Sequence, residues 1–212
     1  MSAPSDPDLL VLQALRVRSL AATEVIADTV GLSLDEAAAH LEVFQDKEWV
    51  RYREGVLTGW MLLPAGRAEG ERMLAAELEA IGVRHDVEAV YRSFLALNQR
   101  LLRACTDFQL RPSGGSEPVL NDHRDPVYDA GVIDSLATID REVQPIATSL
   151  AAGLARFGRY PARFTRALEK TRAGDADWFA KPTIDSYHTV WFELHENLLS
   201  TLGIPRGGED AS

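Results

Sequence analysis

Imidazoles change charge nearest neutral pH, so the histidines are where chemistry is sought first. Two of the five, His188 and His195, lie in the stretch Thr183 to Leu202, TIDSYHTVWFELHENLLSTL. Stepping from Ile184 at three and four residues gives His188, Trp191, His195, Leu198 and Leu202, one face of an α-helix. The pattern predicts a helix over 184–202, capped by Thr183 or Asp185 and stopped by Gly203. Both imidazoles are then expected to turn inward, against the face that carries Asn98. A buried imidazole needs partners for its N–H and its lone pair. Asn98, Asp185, His188, Trp191 and His195 are the expected ligand-binding set. Two readings stand side by side: histidines satisfied within a core, and a pocket for a small molecule. Asp185 and His188, at i and i+3, have the spacing of a metal-ligating pair. The two histidines, however, are about 10.5 Å apart along a helix axis, and no second D-x-x-H supplies the rest of a site. No metal and no cofactor is assigned. His188, His195, Asp185 and Glu193 could also do acid–base work, but nothing fixes a substrate.

A second pattern is basic. Arg156, Arg159, Arg163, Arg166 and Lys170 recur at three and four residues. Pro161 starts a helix, so Arg159, Arg163 and Arg166 are the candidate anion-binding group, with a solvated basic face as the plainer account. Asn121-Asp122-His123-Arg124-Asp125 is dense in polar groups for a loop, read as a cap for the helix at Pro126 or as a lid. Cys105 is the single cysteine, on an apolar face, so no internal disulfide forms. Phosphate-loop, dinucleotide and serine-hydrolase motifs are missing from the sequence.

These residues must be positioned by helices. After a polar tail, Asp8–Leu20 reads as a helix on Leu9, Leu12, Leu15 and Arg16. Thr23 caps a second, ended by Gly31. Ser33-Leu34-Asp35-Glu36 is a capping box for a third, with Leu34, Ala37, Ala38, Leu41 and Phe44 inward. Val50–Arg53, a turn at Glu54-Gly55, and Val56–Leu62 read as a hairpin. Pro64 opens a fourth helix, and Gly82-Val83 is a joint. Further helices are expected over 86–107, from Val132 to Phe157 with a kink or break at Pro145, and over 161–170. Between the first two of these, Arg111 to Pro118 reads as a flexible loop. The expected fold class is mainly α: a domain over 1–82, and a helical bundle over 83–212. No apolar run reaches the ~20 residues of a membrane span, and no leader opens the chain, which points to a cytoplasmic protein without a membrane partner.

Three helices, a hairpin and a helix are the element order of a winged helix-turn-helix. Ala27, Gly31 and Ser33 match the A-x3-G-x-S of a helix-turn-helix. Leu62-Leu63-Pro64-Ala65-Gly66-Arg67 resembles the L-T-P-x-G-R that follows the wing in MarR-family regulators. That resemblance covers residues 8–80. It departs at Leu63, at Asp46-Lys47-Glu48 and in a short wing. Asn98, Leu101, Cys105-Thr106-Asp107-Phe108-Gln109, Asn121-Asp122-His123 and the string from Asp185 to Glu196 resemble actinobacterial MarR-like regulators. They also resemble segments at the end of some pyruvate phosphate dikinase-like chains. The resemblance implies a homodimeric transcriptional regulator whose helical domain senses a small molecule. The alternative it implies is an adaptor that binds no DNA and acts with a phosphoenolpyruvate-utilising enzyme or another protein.

Charge weighs on that choice. The chain carries −10, and residues 1–80 hold seven basic against fourteen acidic side chains. The third helix and its end bring Asp35, Glu36, Glu42, Asp46 and Glu48, opposed by Lys47. A helix in the major groove offers Arg, Lys, Asn or Gln to bases and phosphates. Here the candidate DNA contacts are His40 and Gln45 for bases, with Arg16, Arg18, Arg51 and Arg53 for phosphates. DNA is a possible partner that the acidic balance disfavours.

Overall fold

The computed structural model describes Ser2, residues 4–112 and residues 117–205. Residues 1 and 3 of the polar tail, and 113–116 of the expected flexible loop, lie outside the described residues. The described chain is mainly helical, with two small antiparallel sheets. It separates into two compact units. One is the chain up to Val87 with Gly153–Arg156 and the chain from His195; the other is Glu88–Ala152 with Phe157–Leu194. The sequence places a single joint at 82–83, whereas compactness returns two later segments to the first unit.

In the first unit, α1 spans Pro7–Arg18, with Asp6 as cap accepting from the Asp8 amide. α2 spans Thr23–Val30 and stops at Gly31 in a left-handed turn. Thr23 does not cap it; its hydroxyl accepts a bond from Trp60 Nε1 at 3.1 Å. α3 spans Leu34–Asp46 behind the expected capping box, in which Ser33 and Glu36 bond each other's amides. Leu34 is half-exposed rather than inward, and Ala37, Leu41 and Phe44 make the buried face. β1 (Val50–Arg53) pairs with β2 (Gly59–Leu62) in the register Val50 to Leu62. The second strand is shorter than expected, so Val56 and Leu57 sit fully exposed and exposed in the intervening loop. Ala21 adds a bridge to Trp60 through two backbone bonds of 3.1 and 2.8 Å. That approach needs Gly59: at φ 148°, a Cβ would lie 2.8 Å from the Ala21 carbonyl oxygen. α4 (Pro64–Ile81) has no side-chain cap at Leu63, and Gly66 lies against the Trp49 carbonyl where no Cβ fits. Val11, Leu12, Leu15, Ile26, Leu41 and Phe44 form the core, sealed by Trp49 and Trp60. The end of the last helix joins this unit.

In the second unit, α5 (Arg84–Gln109) turns Phe94, Leu101 and Cys105 inward as expected. Burial pushes the Cys105 thiol up to about 12, so it is an inert core group. β3 (Leu110–Arg111) and β4 (Val119–Leu120) form a two-residue ladder. α6 (Pro126–Gly153) runs through Pro145 as one helix, so the expected break does not occur, and it ends short of Phe157. The chain continues through a 3-10 turn (Ala155–Phe157), α7 (Tyr160–Arg172) and the single turn α8 (Asp177–Ala180). α9 is Tyr187–Leu202. Trp191 stacks on Phe94 at 4.5 Å and meets Phe164 edge-on at 6.0 Å. At such spacings ring pairs add to their area burial. No helix among the described residues is long and apolar enough to cross a membrane.

Candidate functional site

α9 is shorter than the sequence predicts because residues 182–185 form a turn. Ser186 is the cap: its hydroxyl accepts from the Thr189 amide at 3.3 Å. Asp185, freed from capping, turns to Arg163. The guanidinium donates Nε to one Asp185 oxygen at 3.0 Å and Nη2 to the other at 3.1 Å. The same Nη2 meets Glu193 Oε2 at 2.6 Å. Glu193 is buried and Arg163 half-buried, with side chains 6% and 16% exposed. Burial alone would lower the Arg163 pKa. The Glu193 charge and the Asp185 hydrogen bond outweigh it, and the net direction is up. Beside this cluster, fully buried Tyr187 donates its hydroxyl to Asp140 at 3.1 Å. Burial raises the Asp140 pKa, against the opposing bonds from Gln144 and Tyr187.

Neither histidine is fully buried. Phe192 is the exposed residue of α9, and His188 and His195 flank it at four and three residues, both half-buried. The inward positions are Tyr187, Val190, Trp191, Leu194, Leu198 and Leu199. Asn98 Oδ1 accepts from Trp191 Nε1 at 3.0 Å rather than meeting an imidazole. His188 makes no hydrogen bond among the described residues, and burial lowers its pKa. Of the expected ligand set, the structure therefore brings Asn98 to Trp191, sends Asp185 to Arg163, and leaves His188 half-buried at the edge of the inward face. His195 belongs to the other compact unit. Among the described residues no group of three or more His, Cys, Asp or Glu is placed to hold a metal ion.

Of the anion-binding group, Arg163 is engaged internally, and Arg159 and Arg166 are exposed. Arg163 is held by two carboxylates, Arg166 lies over the Trp178 ring at 5.2 Å, and Arg159, though exposed, is not without a partner. An incoming phosphate would have to displace a carboxylate from Arg163.

In the first unit, a buried polar seam joins α1 to the last turns of α9. Gln13 Nε2 donates to Asn197 Oδ1 at 3.0 Å and to Ser200 Oγ at 2.6 Å. Thr201 donates to the Asn197 carbonyl at 2.6 Å and accepts from Arg156 at 3.0 Å. Arg156 also pairs with Glu77 at 3.1 Å, with side chains 2% and 9% exposed. Arg16 belongs to the same region: it pairs with Glu196 at 3.2 Å and Glu71 at 2.7 Å, and its side chain is 10% exposed. It is not a DNA phosphate contact in this conformation. Gln13 is the readable signal, a lone amide within the otherwise apolar run Leu9 to Leu15, but its partners lie at the far end of the chain.

The remaining candidate nucleic-acid contacts divide. His40 Nδ1 is 2.6 Å from Asp8 and half-buried, so it is no base reader. Arg18 is half-buried and not without a partner. Gln45, Arg51 and Arg53 are exposed. The outermost stripe of α3, opposite Ala37, Leu41 and Phe44, is Asp35, Ala39, Glu42 and Asp46, all exposed. The sequence also hid a polar knot in the second unit. His123 Nδ1 lies 3.1 Å from Asp129, Asn121 donates to Asp129 at 2.7 Å, and His123 packs on the Phe108 ring. With Asp125 accepting from the Val127 and Tyr128 amides, this loop caps α6, the plainer of its two readings.

No family model, curated protein or solved structure matches this chain.

Proposed function

We propose that this chain is a regulatory protein built on a winged helix-turn-helix whose third helix contacts protein rather than DNA. Supporting the fold half of that reading is the order of three helices, hairpin and helix, with the Ala21–Trp60 bridge as the short third strand. The observation that carries the protein-contact half is the outward stripe of α3: three carboxylates and an alanine, where a groove-reading helix offers bases and phosphates a cation or an amide. Presented to a duplex, that stripe repels phosphate along more than three turns. The resemblance to MarR-like regulators suggests a homodimer, and the adaptor form of that resemblance fits the charge.

Electrophoretic mobility of duplex DNA from the gene's own upstream region, at about 50 mM salt, tests the reading. The expected result is no shift at concentrations where the protein is folded and unaggregated. A shift whose affinity falls steeply with salt overturns it. The second reading, DNA binding through the hairpin, is favoured by Arg51 and Arg53, exposed on β1 and in no ion pair among the described residues. On that reading Arg51→Ala with Arg53→Ala removes the shift for every sequence.

A further inference from the structure

We draw no further inference here: the strongest candidate, the exposed apolar tip of the β1–β2 hairpin at Val56 and Leu57, carries none because nothing in the structure shows what covers it.

Discussion

Replacing Arg163 by Met should cost the second unit more than any other change to its charges. The substitution keeps most of the aliphatic volume, so the loss is electrostatic. It leaves Glu193, 6% exposed, facing Asp185 with their shared guanidinium gone. Removing one partner of a buried pair costs about 3–5 kcal/mol, because the other charge stays buried without compensation. Asp185 is 37% exposed and partly solvated, which places the expectation at the lower end, about 3 kcal/mol. At about 2–4 °C per kcal/mol for a chain of this size, the melting temperature should fall by roughly 6–12 °C. Circular dichroism melts and urea unfolding measure it, with Arg166→Ala as control, since that side chain is exposed over Trp178. Adding Glu193→Gln to Arg163→Met should restore at least about 1 kcal/mol by removing a buried carboxylate that has lost its guanidinium. A loss under about 1 kcal/mol, equal to the Arg166 control, would refute the argument that this cluster is a buried, mutually dependent unit.

The other expectations concern packing and protonation. Gln13→Leu leaves Asn197 and Ser200 without their shared donor and should cost about 1–3 kcal/mol in urea unfolding; a neutral result would mean that water replaces the seam. Gly66→Ala drives a methyl into the Trp49 carbonyl and should cost about 3 kcal/mol. Gly70→Ala, with Leu12 Cβ at an ordinary 3.7 Å, should be neutral or stabilising by up to about 1 kcal/mol. Comparing the two melts tests the backbone contact directly. Burial lowers the His188 pKa below the ordinary 6.5, so the unfolded chain takes up a proton first as the pH falls. Its contribution is therefore present above that value and declines below it. His188→Gln should flatten the fall of melting temperature with acidification, and an unchanged slope would contradict the burial.

What the sequence determined by itself is local. The Ser33 and Glu36 capping box, the left-handed stop at Gly31, the strand Val50–Arg53 and the inward row of α5 all rest on neighbours within a few residues. Their physics is complete before the chain folds. For α6, Pro145 signals a kink or a split, and the helix does not split. Periodicity failed for α9, and the reason is burial nearly all round. Tyr187, Val190, Trp191, Leu194 and Leu198 fill one arc, but Leu199, Glu193, Glu196 and Ser200 are buried on the other sides, so burial does not mark one face and a stripe can be drawn through the neighbouring histidines almost as easily. Only the neighbours decide its phase. They bring Asn98 to the Trp191 indole, Arg163 to Glu193 and Gln13 to Asn197, and they leave Phe192 exposed and the two imidazoles half-buried. The same holds for the basic residues. Arg16 and Arg163 carry the same charge in the sequence as Arg51 and Arg53. Tertiary structure gives the first two buried carboxylate partners and leaves the second two to solvent, because pairing depends on distance in space.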